Sequence, residues 1–207
     1  MLAFTLILDV IALFITLLTI KLILVALSFV FFGFCLYFFR DPTRKLPEGI
    51  RDNHIISPAD GKVMLIEEID DENKFLKSKA KLIGIFLSPL NVHVNRIPVS
   101  GVIDYFEYIK GDYIVAFDHK SSERNERTLI GITNEKFKVL FKQVAGFVAR
   151  RIVFHIRKGD KVTMGEKFGM IKFGSRVDVL IPENSKIMVS VNDHVIGGET
   201  ILAEVIV

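Results

Sequence analysis

From Met1 to Phe39 the only formal side-chain charges are Asp9 and Lys21, and this apolar stretch restricts the chain more than anything after it. "LAFTLILDVIALFITLLTI" and "LILVALSFVFFGFCLYFF" flank Lys21. Each has roughly the 17–25 residues a helix needs to cross a hydrocarbon core about 30 Å thick. The run is too long for a signal peptide, and no small-residue cleavage site follows it. Residues 1–40 therefore read as a membrane anchor. Two crossings need a turn near Lys21, where "LTIKLIL" offers no Gly, Pro or Asn. The pattern leaves open a hairpin of two helices or one long, tilted or partly interfacial helix. Asp9 is costly in such a run unless it pairs or reaches the interface. Lys21 lies about 18 Å away along a straight helix, so the two pair only if the chain folds back. Arg40, Arg44 and Lys45 follow in "FFRDPTRKLP", and the positive-inside rule places the next domain on the cytoplasmic side of the cell membrane.

Residues 41–207 change character. Charges become frequent, and short apolar runs alternate every second residue: "GKVMLIEEI", "LIGIFL", "VIDYFEYI", "RTLIGIT", "FKVLFKQV", "RRIVFHI", "VDVLIP", "KIMVSV" and "TILAEVIV". Gly, Asp, Asn and Pro punctuate them. The pattern predicts a mainly β fold, a barrel or sandwich-like catalytic domain of short strands behind the helical anchor. "KGDKVTMGEKFGMI" and "VNDHVIGGETILAEV" look like two related hairpin units of the kind found in lipoyl-type domains. "FDHKSSERNERT" (117–128) reads as a polar loop or short helix and the place for mobility. The lone Cys35 excludes an intramolecular disulfide and a Cys-based metal site. A net charge of +3 suits an anionic membrane surface and is too small to argue for nucleic acid.

Four stretches hold candidate chemistry, each with an ordinary explanation beside it. "SPADGKV" puts Asp60 at a strand entrance, where a turn accounts for it equally. In "LSPLNVHVNRIPVSG", alternation puts Asn91, His93 and Asn95 on one face and Val92 and Val94 on the other. That row lines a cleft or faces water. "QVAGFVARRIV" joins an apolar loop to Arg150 and Arg151, a solvated face or a grip for lipid phosphate or carboxylate. In "KFGMIKFGSRVDVLIP", Gly174-Ser175 interrupts the alternation, as a β-bulge does.

Taken together and in this order, these motifs closely resemble the phosphatidylserine decarboxylase family, especially its shorter branch, which includes archaetidylserine decarboxylase proenzymes. The likeness runs from "FFRDPTRKLP" through "SPADG", "FLSPLNVHVNRIPVSG", "NER" and "QVAGFVARRIV" to "GMIKFGSRVDVLIP". It implies a proenzyme that cuts itself between Gly174 and Ser175, leaving a β chain of residues 1–174 and an α chain of 175–207. The two stay together as a heterodimer or within a higher oligomer. Ser175 becomes a covalent pyruvoyl group, the electron sink for removing carbon dioxide from a serine-headgroup phospholipid in the membrane. Longer members carry Leu-Gly-Ser-Thr or a close variant at the cut, where this chain has Phe173-Gly174-Ser175-Arg176, and Asp and a second His where it has Asn91 and Arg96.

The resemblance implies catalytic roles for Ser175 as nucleophile, His93 as its base and Asp60 as the residue that orients or charges His93. Arg150, Arg151, Asn95 and Arg96 are candidates for substrate binding. Gly174, lacking Cβ, permits close approach to its carbonyl. His54, His119, His155 and His194 read as packed or surface residues, and with no HExxH or Cys cluster no metal is expected. The rival reading is a membrane-anchored, lipoyl- or biotinyl-like binding or carrier module without catalysis. Such a carrier needs a lysine at an exposed hairpin tip, whereas "GMIKFGS" puts its lysine in a strand-like run.

Overall fold

The computed structural model describes residues 2–15, 17–72, 74–112, 124–146, 151–171 and 175–206. The chain divides into two compact units, Met1–Asp41 and Pro42–Val207.

The first unit is helical. Helix α1 spans Leu2–Phe14 and α2 spans Leu18–Phe38, so the break falls after Phe14 and not beside Lys21. Lys21 already sits in the first turn of α2 and donates its N–H to the Leu17 carbonyl. The helices fold back on each other, with the rings of Phe4 and Phe31 5.1 Å apart. That register sets Asp9 about five residues from Lys21 along α2, roughly 7 Å of rise. Among the described residues no ion pair joins them. At 13 residues α1 is about 20 Å long, too short for a hydrocarbon core. Helix α2, at 21 residues, is long and apolar enough to cross a membrane.

The second unit is mainly β, as the alternation predicts. Eight strands form one curled antiparallel sheet. They are β2 (Gly61–Glu72), β3 (Ser78–Leu87), β5 (Gly101–Ile109), β6 (Arg127–Thr133), β7 (Lys138–Val144), β9 (Lys161–Val162), β11 (Ser175–Pro182) and β13 (His194–Val195). Their order is β13-β2-β3-β11-β7-β6-β5-β9. Two three-stranded sheets flank it: β1 (His54–Ile56), β14 (Ile201–Val205) and β12 (Ser185–Ile187), with β14 central; and β4 (Val94–Arg96), β10 (Lys167–Ile171) and β8 (Ile152–Phe154), with β10 central. The main core of Ile56, Ile85, Ile130, Phe141, Val177 and their neighbours lies on one face of the large sheet. A smaller cluster of Leu65, Phe75, Leu129, Leu140 and Leu180 covers the other.

The two repeated units are real, but they are not hairpins. In each, a two-residue strand (β9 or β13) turns through a glycine at positive φ, Gly165 at 82° or Gly198 at 84°, into a five-residue strand (β10 or β14). The short strand closes one edge of the large sheet and the long one becomes the centre of a small sheet. The strands of a unit thus pair with other partners, and the units staple the sheets together. Only glycine takes that backbone conformation without a Cβ penalty.

Strand β11 is the middle of this construction. It pairs with β3 from Ser175↔Leu87 to Pro182↔Ala80, and with β7 from Arg176↔Val144 to Leu180↔Leu140. Neither ladder shifts register, so Ser175 opens a regular strand and not a bulge. Gly174 lies outside the described residues. Every residue from Ser175 to Ile181 is buried. Alternation turns Val177, Val179 and Ile181 to the main core and Arg176, Asp178 and Leu180 to the second face. Arg176 Nε donates to Asp178 Oδ1 there, with side chains 2% and 0% exposed. Farther along that face the Tyr105 hydroxyl, and after it the Lys74 ammonium, hold the Glu107 carboxyl below its ordinary range.

Candidate active site

Ser175 shares the core face with Val177 and is 0% exposed. Its Oγ has no hydrogen-bond partner among the described residues. Leaving a buried hydroxyl unsatisfied costs about 1–3 kcal/mol, and a serine kept only for packing would be cheaper as alanine. A buried hydroxyl of this kind calls for an explanation, of which a catalytic role is one; Thr133 and Ser185 carry the same unpaired hydroxyl among the described residues.

The segment β3–(88–93)–β4 runs past this serine. Leu87 at the end of β3 is in register with Ser175, and Val94 at the start of β4 is in register with Met170 of β10. The link 88–93 therefore leads from the partner of Ser175 to the partner of Met170, and His93 is its last residue. A turn builds the link: Asn91 N–H donates to the Ser88 carbonyl at 3.0 Å, and Asn91 Oδ1 accepts from Ser88 N–H at 2.8 Å. The Asn91 carbonyl then meets His93 Nδ1 at 2.9 Å. A carbonyl only accepts, so Nδ1 is the protonated nitrogen and Nε2 of the neutral ring keeps its lone pair. His93 is 0% exposed. The row from Asn91 to Asn95 is thus neither a continuous strand nor a solvated face. Asn91 shapes the loop, while His93 and Asn95 are interior.

Asp60 has structural work of its own. Its Oδ2 accepts from Arg44 Nη2 at 2.7 Å and its Oδ1 from Gly197 N–H at 2.8 Å. Arg96, two residues past Val94, donates from Nη1 to the Gly165 carbonyl and from Nη2 to the Pro42 carbonyl, each at 3.1 Å. Its backbone N–H donates to the Pro58 carbonyl at 2.8 Å. Asp60 and Arg96 together hold segment 42–44 against the "SPAD" turn and the two glycine turns. The Asn91 carbonyl sets the tautomer of the His93 ring, and Asp60 is held by Arg44 and the Gly197 N–H.

Asn95 belongs to a buried chain of side chains. Thr128 Oγ1 donates to Gln143 Oε1 at 2.9 Å, and Gln143 Nε2 donates to Asn95 Oδ1 at 2.8 Å. All three residues are 0% exposed. Gln143 is in register with both Val177 and Thr128, which puts the chain on the Ser175 side of the sheet. Beside it, Tyr108 Oη donates to Glu126 Oε1 at 2.9 Å, and Asn125 Nδ2 donates to the Ala145 carbonyl at 2.7 Å. Sequence reading missed Thr128, Gln143, Asn125 and Glu126 as site residues. The available signal was a polar residue at an inward position of an otherwise apolar strand, as in "KVLFKQV".

Arg151 is exposed just before β8, while Arg150, His119, Lys172 and residues 117–123 of the polar stretch lie outside the described residues. His155 and His194 are exposed, and His54 is buried, its Nδ1 accepting from Arg51 N–H at 3.2 Å.

The arrangement, then, is a buried hydroxyl at a strand start, a tautomer-fixed imidazole on the adjoining link and a chain of amides on the same face. The phosphatidylserine decarboxylase family profile matches residues 31–203. A phosphatidylserine decarboxylase proenzyme of Chlorobium luteolum is 52% identical over 171 residues, covering 83% of this chain and 79% of its own. One of Amoebophilus asiaticus is 50% identical over 171 residues, covering 82% and 75%. One of Chlorobium limicola is 47% identical over 170 residues, covering 82% and 78%. The chain belongs to the phosphatidylserine decarboxylase family.

Proposed function

We propose that this protein removes carbon dioxide from a serine-headgroup phospholipid, phosphatidylserine or its ether-linked counterpart archaetidylserine, after cutting its own backbone between Gly174 and Ser175. The observation that carries the reading is the buried Ser175 Oγ at the start of β11, without a hydrogen-bond partner among the described residues, in a chain whose relatives are named proenzymes. His93 Nε2 takes the hydroxyl proton as Oγ adds to the Gly174 carbonyl carbon. The tetrahedral centre collapses, the C–N bond breaks, and His93 returns the proton to the nitrogen of residue 175, leaving an ester. Loss of the α-proton of residue 175 expels the Gly174 carboxylate. The remaining enamine tautomerises, takes up one water and releases ammonia. No electrons enter or leave, and the new chain end is a ketone.

The residues fit such a pyruvoyl end: a hydroxyl with no hydrogen-bond partner among the described residues occupies its place, and the pairing of Ser175 with Leu87 of β3 and of Arg176 with Val144 of β7 fixes the strand that carries it. When present, the group supplies an electron sink for the carboxylate that departs as carbon dioxide. His93 is the proton donor to the substrate α-carbon. Arg150 and Arg151 meet the headgroup phosphate or carboxylate, and the apolar helix α2 keeps the domain on a membrane that holds the substrate, on its cytoplasmic side. The β and α chains remain one heterodimer.

The test is mass spectrometry of protein purified from membranes, followed by a carbon dioxide assay on vesicles of each lipid. Fragments 1–174 and 175–207, the smaller one blocked by a ketone, support the reading. An intact chain that still releases carbon dioxide overturns it. His93→Ala is expected to slow appearance of the small fragment about 10²–10⁴-fold, the usual contribution of a positioned base. Cutting at the wild-type rate would remove His93 from the first step.

A further inference from the structure

We infer that the end of the β unit around Leu46, Ile196 and Leu90 is seated on the phospholipid bilayer. These three side chains lie at the boundary between headgroups and acyl chains, with Lys45 and Lys62 beside the lipid phosphates. The inference goes beyond the self-cleavage reading and needs no part of it; it rests on α2 lying in a membrane.

The chain itself supplies the constraint. At the C-terminal end of α2 the Arg40 guanidinium lies 3.8 Å from the centre of the Tyr37 ring and donates to the Tyr37 carbonyl at 2.8 Å. An aromatic ring and a cation at the end of an apolar helix mark the headgroup level. Pro42 follows two residues later, so its Cα is at most about 7 Å from that of Arg40. Pro42 is tied down on the second unit. Its carbonyl accepts from Arg96 Nη2 at 3.1 Å, and Arg44 Nη2 donates to Asp60 Oδ2 at 2.7 Å. The surface of the β unit that carries Pro42 and Arg44 therefore lies at the membrane.

That surface turns apolar side chains outward. Leu46 is 42% exposed although it leans on the Gly165 turn, where an added Cβ would stand 3.1 Å from Leu46 Cδ2. Ile196, 40% exposed, precedes Gly197, whose N–H is held by the same Asp60 that holds Arg44. The link 88–93 leaves β3 beside Gly61, the neighbour of Asp60, where an added Cβ would stand 2.3 Å from the Phe86 carbonyl oxygen. Leu90 on that link is 62% exposed. Apolar residues scattered singly over a surface need no explanation; three at the end where the chain arrives from a membrane do. Lys45 and Lys62 are exposed among them, and ammonium groups at this level are drawn to anionic lipid. Seating this end brings the link that ends in His93 to the headgroup layer.

The same unit offers a control. Ile206 is 64% exposed, and its N–H donates to the carbonyl of Asn184, two residues past the end of β11. Strand β11 starts beside Leu87 and ends at Pro182, roughly 24 Å away, so Ile206 lies at the opposite end of the sheet. The chain has no tryptophan, so Leu46→Trp, Leu90→Trp, Ile196→Trp and Ile206→Trp each carry a single reporter, and Phe29→Trp reports on α2. Full-length protein is reconstituted into vesicles of phosphatidylcholine and phosphatidylglycerol with brominated acyl chains, and circular dichroism checks that each variant is folded. The reporters at 46, 90 and 196 are expected to lose emission relative to unbrominated vesicles and to shift to shorter wavelength, while that at 206 does neither. Quenching at 29 with any of the three emitting as 206 does would overturn the inference. Equal quenching at 206 would overturn it too, since no one end would then be seated. Unquenched emission at every position, 29 included, would overturn it together with the membrane placement of α2. The self-cleavage reading is judged separately, by the appearance of fragment 175–207.

Discussion

Ser175→Ala is expected to leave a single chain of 23.5 kDa that releases no carbon dioxide from phosphatidylserine vesicles. The change deletes one atom, Oγ, from a position that is 0% exposed, and that atom has no bond among the described residues to lose. Alanine therefore fits the space without stranding a partner, and the uncut protein should melt no lower than other uncut variants. Loss of function without loss of fold separates a chemical role from a packing role. Gel mobility and intact mass check the first half, and a thermal melt checks the second. Carbon dioxide release by the alanine protein would end the assignment of Ser175, whatever happens to the backbone.

The second large effect concerns stability. Asp178→Ala leaves the Arg176 guanidinium, 2% exposed, without its carboxylate. Removing one partner of a buried pair typically costs about 3–5 kcal/mol, a large share of the roughly 5–15 kcal/mol that holds a domain together. For a chain of this size the melting temperature should fall by roughly 6–20 °C. The double change Arg176→Met with Asp178→Leu discards both charges and should recover most of the loss, since apolar replacements of buried pairs are commonly neutral or better. The melts are best compared in a Ser175→Ala background, where every molecule is uncut. A single Asp178→Ala variant as stable as its parent would show that water or another group reaches Arg176.

Much of this architecture was legible in the sequence. Period-two alternation located β2, β3, β5, β6, β7, β11 and β14 because each has a core to face. What the alternation could not convey was partnership. The glycine turns at 165 and 198 read as hairpins, yet β9 and β10 go to different sheets, as do β13 and β14, because pairing is decided by distant chain. Strand β4 has three residues, too few for a period to show. The helix break after Phe14 has no Gly or Pro to announce it, and follows from α1 packing back on α2. Within the site, Ser175 and His93 could be named because their motifs are distinctive. Thr128 and Gln143 could not, since an inward polar residue on a strand looks, in one dimension, like an outward one. Asp60 and Arg96 were singled out, but which backbone or side chain holds each depends on the fold.

The flanked position of β11 has a consequence for the life history of the molecule. A backbone cut at its first residue would create a fragment that still supplies the strand between β3 and β7, the strand that closes against β2 and the middle strand of a small sheet. The fragment could not depart without dismantling all three. Heating would do that, and the two pieces would then have to find each other again in solution, a search that a single chain never faces. Mature protein should accordingly lose activity irreversibly on heating and recover it, if at all, in proportion to concentration, whereas its uncut precursor refolds independently of dilution.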